Sequence, residues 1–258
     1  MPDSTPTPRR KRAARRRFEA RAILAFVAIF VAAVPFAVLV ALVTTASKTL
    51  AHLDRDVANS LHHFAGAHSG FTTAMRTISA TGSPTAWWIV LTPVFAWLLY
   101  RRLPRLAAFV AVTALGSSLL NSAIKLSVNR TRPHLSDPVA SAVGKSFPSG
   151  HTQSAVVGCG VLVLIFLPVV PRRARPWLLV AAGLIVALIG FSRIALGVHY
   201  LSDVIGAILI GLAWLLAMTA AFAAWRREER KPPSHPAEGL EPEQRGRIAP
   251  GPATETPP

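Results

Sequence analysis

Six stretches of this chain are too apolar and too long to be left in water. They run from about Ala22 to Ala46, Trp87 to Tyr100, Leu106 to Leu126, Thr152 to Val170, Trp177 to Ala195 and Tyr200 to Trp225. Their apolar residues come in continuous runs rather than in amphipathic stripes, which is the pattern of membrane spans. Composition agrees: 52% hydrophobic and 16% charged residues exclude an ordinary soluble domain of 258 residues. The first run, with Pro35 as a kink that membrane helices tolerate, is roughly 25 residues long, against about 7–15 for a signal-peptide core. It reads as an uncleaved span. The fold class is therefore all-α, a polytopic bundle of six transmembrane helices.

The segments between the runs set the topology. Residues 1–21 carry the basic run RRKRAARRR and read as a disordered cytoplasmic tail. Residues 22–225 form the membrane domain, and residues 226–258, rich in Pro, Glu and Gly, read as a second disordered tail. A net charge of +16 raises the question of a nucleic-acid partner. The basic residues, however, sit in the N-terminal tail and at run ends, at Arg101–Arg105, Arg172–Arg175 and Arg226–Lys231. Six spans put all these clusters on one side, which the positive-inside rule makes cytoplasmic. Both termini then face the cytoplasm of a cell (inner) membrane protein whose partner is the bilayer, with no nucleic acid. Ser47–Pro84 falls on the outer face, where Leu53, Val57, Leu61 and Phe64 at helical spacing predict an interfacial amphipathic helix. Its histidines, His52, His62, His63 and His68, have no ligand motif and read as a wetted face. Cys159, the single cysteine, lies inside an apolar run and excludes an intramolecular disulfide.

The outer side is also where reactive groups gather. In Phe191–Asp203, FSRIALGVHYLSD, Asp203 lies four residues after His199. On a helix it could hold one ring nitrogen and leave the other free as a base or nucleophile. Arg193 precedes His199 by about two turns and could bring a fixed charge to the same target. Taken alone, the stretch fits equally a juxtamembrane arginine and a buried histidine satisfied by a carboxylate. Two further segments tip the balance. KLSVNRTRPH sets Lys125 and Arg132 seven residues apart, two cations on the side where basic residues are scarce. His134 beside them has no assigned role. Pro148-Ser149-Gly150-His151 is turn chemistry opening the fourth span, so free N–H groups, the Ser149 hydroxyl and His151 share a helix start. Together these describe a phosphate pocket with an acid and a nucleophile.

Lys125-x6-Arg132-Pro133, Pro148-Ser149-Gly150-His151 and Ser192-Arg193-x5-His199-x3-Asp203 resemble the three-part signature of the type 2 phosphatidic acid phosphatase (PAP2) superfamily, which also includes vanadium haloperoxidases. The resemblance covers roughly Leu50 to Trp225, with no departure at a signature position. It implies that His199 is the nucleophile of a phosphohistidine intermediate and that Asp203 orients it. His151 would protonate the leaving oxygen and then activate water. Lys125, Arg132, Arg193, Ser149 and the Gly150 backbone would hold the phosphoryl oxygens. The expected function is a metal-independent, cofactor-free phosphatase acting on a lipid phosphate, such as a polyprenyl pyrophosphate or phosphatidate, at the outer face. The alternatives are a vanadate-dependent haloperoxidase, which the resemblance places among soluble proteins, and a non-catalytic phospholipid-binding bundle. The sequence leaves the lipid and the oligomeric state open.

Overall fold

The structure is a computed structural model that describes residues 29–133, 135, 140–228 and 236–249. The basic tail at residues 1–21 lies outside the described residues, as do residues 22–28 of the first expected span and His134. Among the described residues there is no strand. The helices are α1 (Ile29–Thr44), α2 (Lys48–Ala67), α3 (Ser69–Thr81), α4 (Pro84–Tyr100), α5 (Pro104–Val128), α6 (Gly150–Phe166), α7 (Arg175–Ala195) and α8 (Leu201–Glu228), with a short α9 (Arg245–Ile248) beyond them.

Helix starts follow local chemistry. Ser83 caps α4 by accepting a hydrogen bond from the Ala86 N–H at 3.1 Å, and Pro84 fills the first turn, where its missing N–H is no loss. Pro104 does the same for α5. The prolines that mark turns in the sequence thus open helices, which is why α4 and α5 begin two or three residues earlier than their apolar runs. Three segments are long and apolar enough to cross a membrane: α5, α7 with its leading turn from Arg172, and α8 to Arg226. Two bent pairs, α1 with α2 (91°) and α3 with α4 (42°), raise the number to five if each pair is one span. The chain is a multi-pass membrane protein. The 17-residue α6 is shorter than a full span.

The Ser47–Pro84 segment differs from its expected form. Two helices, α2 and α3, replace a single amphipathic one, and they break at His68. Leu53 and Phe64, expected on the apolar face of an interfacial helix, are about half exposed, whereas Asp54, Ala58 and Ala65 are buried. Apolar side chains facing lipid gain little by turning inward, so packing of α2 is decided by its small and polar face.

At the centre, α6 packs against α5, α7, α8 and α4. Close approach depends on missing side chains: a Cβ at Gly158 would lie 2.0 Å from the Trp87 ring of α4. The chain alternates direction, so the C-terminal ends of α5 and α7 meet the starts of α6 and α8 at one end of the bundle. The opposite end carries the second correction. Far from being wholly disordered after residue 225, the chain continues as α8 to Glu228, and residues 236–249 fold back onto the bundle. Leu240 and Ile248 join the main apolar core, and buried Glu241 bridges Arg105 (3.3 Å) and Arg226 (3.4 Å). Two isolated apolar residues in a Pro-rich tail give no periodicity to read, yet together with Glu241 they dock it.

Candidate active site

Three backbone turns build the site. Asn129, in the left-handed conformation (φ 53°), closes α5 by returning its N–H to the Lys125 carbonyl at 3.1 Å. The chain then doubles back, so Arg130 and Arg132 enter the bundle rather than continue along the helix. Gly197 (φ 69°) ends α7 in the same way, a conformation that costs glycine no side-chain clash. The N–H groups of Val198 and His199 return to the Arg193 carbonyl at 3.2 and 3.3 Å. The stretch 191–203 is thus not one helix. His199 precedes α8, and Asp203 lies in its first turn. The third turn is the cap of α6, where the Ser149 Oγ accepts from the Thr152 N–H (3.5 Å) and hydroxyl (3.1 Å).

His199 is buried, with 1% of its surface exposed. Its Nδ1 donates to the Asp203 Oδ2 at 3.2 Å, which leaves Nε2 as the lone-pair nitrogen, and Nε2 accepts from the Arg132 Nη1 at 3.1 Å. Burial pushes the His199 pKa down to about 4, opposed by the hydrogen bond and charge of Asp203 and reinforced by Arg132 and Arg193. The imidazole is neutral at neutral pH. Asp203 is fully buried, and its Oδ2 also accepts from the Ser146 hydroxyl and from the Tyr200 N–H at 2.9 Å.

Cations surround this pair. The Arg132 guanidinium is clamped by the carbonyls of Gly144, Val198, Val143 and Lys145 at 2.7–3.3 Å, and with its Nη1 also on His199 all five of its N–H groups are engaged, so it serves the cradle by its charge. Arg193, 8% exposed, donates to the Ser79 Oγ of α3 at 2.5 Å. The Lys125 ammonium stands against the start of α6, 3.6 Å from where a Gly150 Cβ would be. His151 lies within electrostatic reach of Arg193, His199, Lys125 and Arg132. Among the described residues the Gly150 and His151 N–H groups have no hydrogen-bond partner, whereas those of Ser149, Thr152 and Gln153 are taken. The start of α6 therefore offers two free donors, with the Ser149 Oγ engaged as the cap.

All eight residues singled out by the sequence (Lys125, Arg132, Ser149, Gly150, His151, Arg193, His199 and Asp203) come to this one end. Their convergence makes a cationic cradle around a neutral imidazole, fit to bind a phosphoryl group and attack it. Sequence reasoning missed three contributors. Arg130 donates to the Asp203 Oδ1 at 2.8 Å, to the Ser202 Oγ at 2.6 Å and to the Asp54 Oδ2 at 2.7 Å. Burial alone would lower its pKa, but the charges of Asp203 and Asp54 outweigh it and hold the guanidinium above its ordinary value. Asp54 and Ser146 are the other two. The available signals were Arg130 beside Arg132 and an acidic residue within the HLDRD of a supposedly wetted face.

Comparison with known proteins adds the following. Residues 105–227 match the PAP2 superfamily. The chain is 34% identical over 96 residues to phosphatidylglycerophosphatase B of Bacillus subtilis (36% of this chain, 47% of the relative). It is 31% identical over 124 residues to lipid A 1-phosphatase of Rhizobium johnstonii (45% and 47%). It is 32% identical over 108 residues to undecaprenyl-diphosphatase BcrC of Bacillus subtilis (40% and 51%). The chain thus spans about half the length of the curated relatives it matches. Among solved structures it is similar to a transmembrane PAP2 type phosphatidylglycerolphosphate phosphatase from Bacillus subtilis, with a TM-score of 0.65 and 23% identity. That match covers 75% of this chain and 95% of the other, and it shows the fold.

Proposed function

Because residues 105–227 belong to the PAP2 superfamily, we propose that this chain is a membrane lipid phosphatase working through a phosphohistidine. The observation that carries the reading is the disposition of His199: Nδ1 on Asp203, Nε2 facing the Arg132 edge, in a buried and cationic setting. In the first step the Nε2 lone pair attacks phosphorus, a P–N bond forms, and the bond to the leaving oxygen breaks. His151 delivers the proton that the leaving oxygen takes up. Asp203 accepts the Nδ1–H bond throughout and stabilises the imidazolium-like state. In the second step His151 takes a proton from water, the oxygen attacks phosphorus, and the P–N bond breaks to release inorganic phosphate. Phosphoryl transfer asks chiefly for positioning and charge neutralisation. Lys125, Arg132, Arg193, the Gly150 and His151 N–H groups and the Ser149 hydroxyl proton supply both, so no metal ion is required.

On a six-span reading, with α6 as a short span among longer neighbours, the site falls at headgroup depth on the extracytoplasmic face. Arg101, Arg102, Arg172, Arg173 and Arg226 then lie at the cytoplasmic end. A lipid reaches such a site laterally. The similarity to a phosphatidylglycerophosphatase, a lipid A 1-phosphatase and an undecaprenyl-diphosphatase supports a phosphomonoester or diphosphate of a lipid as the substrate. The test is phosphate release from purified protein in detergent with chelator present, offering a polyprenyl pyrophosphate, phosphatidate and phosphatidylglycerol phosphate. Release by wild type and none by His199→Ala is the expected result. Activity abolished by chelator would overturn the metal-free step, and halide oxidation without phosphate release would favour the haloperoxidase reading.

A further inference from the structure

A buried ionic chain lies behind the reacting pair and takes no part in the phosphoryl-transfer steps. Arg130 faces away from the cradle, and three bonds of its guanidinium run to Asp203, Ser202 and Asp54. Its plane lies over the Tyr200 ring, 4.3 Å from the centroid. Asp54, on α2 and 1% exposed, accepts in addition from the Ser202 N–H (3.0 Å) and hydroxyl (2.5 Å) at the start of α8. The two oxygens of Asp203 are thereby divided, Oδ1 to Arg130 and Oδ2 to His199.

Resting on the phosphatase reading, we propose that Arg130 and Asp54 are positioning residues, with Arg130, anchored by Asp54, fixing the Asp203 carboxylate as the acceptor for the His199 ring. A buried carboxylate is expensive unless paired, and a free one would rotate about its Cβ–Cγ bond. Arg130 supplies the pairing and blocks the rotation. Without it, Asp54 and Asp203 would face each other with no cation between them, an arrangement that takes up a proton and removes the acceptor that His199 needs. Asp54 in turn fixes the second guanidinium nitrogen, so that α2, bent by 91° from α1, is tied to the turn between α7 and α8. Neither residue points at the phosphoryl cradle, so both act on turnover rather than on binding.

The experiment compares Arg130→Gln, Arg130→Lys, Asp54→Asn and the double variant Asp54→Asn/Arg130→Gln with wild type. Full-length protein in detergent is assayed for phosphate release and for inhibition by orthovanadate. Arg130→Gln is expected to lower kcat by about 10²-fold, the scale of a misplaced reacting group. KM and orthovanadate inhibition should move by less than about threefold, because uniform binding is untouched. Asp54→Asn should lose about tenfold, and the double variant should be no slower than Arg130→Gln, since the two act in series. The acid limb of kcat/KM should move to lower pH in Arg130→Gln, because an Asp203 that has taken up a proton no longer raises the His199 pKa by its charge and hydrogen bond. The other groups facing that histidine (Arg132, Arg193, Lys125, His151, Tyr200 and Asp203) stay in place. A purely structural role would reduce the active fraction without moving the limb, and losses that add, or fall equally on orthovanadate, would overturn the proposal. Should Arg130→Gln fail to fold, Arg130→Lys and Asp54→Asn carry the same test. If wild type releases no phosphate from any lipid, the reaction reading fails by itself. Histidine 15N NMR then decides the linkage: a His199 that keeps its Nδ1–H tautomer and pKa in the double variant would refute it.

Discussion

His199 carries the reaction only when its Nε2 lone pair turns from the Arg132 N–H to phosphorus, and protonation of the ring removes that lone pair. Burial sets that protonation near pH 4 instead of the ordinary 6.5. For a substrate whose leaving group needs no proton from His151, kcat/KM, corrected for the ionisation of the substrate, should therefore stay level from pH 7 to about 5 and fall only below that. A limb centred near 6.5 would mean that the imidazole is not held in this buried setting. The residues bearing this chemistry were legible in the sequence because each sits in a short, spaced motif whose chemistry points one way. Their partners were not. Asp54 meets Ser202 across 148 positions and Arg130 across 76, and no local pattern announces such a meeting. Arg130, two residues before Arg132, looked redundant, and only the left-handed turn at Asn129 sends the two guanidinium groups to different targets. The clamp of carbonyls on Arg132 was equally invisible, since backbone acceptors leave no trace in residue type.

Apolar runs long enough to span a bilayer, closed by Gly, Asn, Pro and Ser, announced α4 to α8 to within a few residues at most ends. Elements whose placement depends on a tertiary partner fared worse. Nothing in α2 said which face would be buried, because in lipid the apolar stripe stays outside and the acidic residue goes in. The returning segment at residues 236–249 is held by few contacts, and its anchor is Glu241 between Arg105 and Arg226. Glu241→Ala removes a buried acceptor while Arg226 keeps Glu243 at 2.6 Å, so it should lower stability by about 1–3 kcal/mol. The expected readout is a lower melting temperature in detergent with kcat per folded molecule unchanged, because the site lies at the other end of the bundle. An unchanged melting temperature would show that this segment contributes little to stability.

For the whole molecule, orientation in the membrane decides which leaflet supplies substrate. Cys159 is the single cysteine and is buried, so a Cys159→Ser background is blank to thiol reagents. Ser141→Cys, exposed in the loop at the active-site end, should react with a membrane-impermeant maleimide in intact cells, and Arg173→Cys only after lysis. The reverse pattern would place the site in the cytoplasm. The central claim, however, is covalent catalysis by His199, and rapid quenching with a 32P-labelled lipid phosphate tests it most directly. His151→Ala should slow hydrolysis of the intermediate by about 10²–10⁴-fold and let it accumulate from a lipid diphosphate, whose phosphate leaving group needs no proton from His151. An acid-labile, base-stable label on His151→Ala, absent from His151→Ala/His199→Ala, is the predicted result. A label that survives loss of His199, or phosphate release from wild type that persists in His199→Ala, would contradict the mechanism.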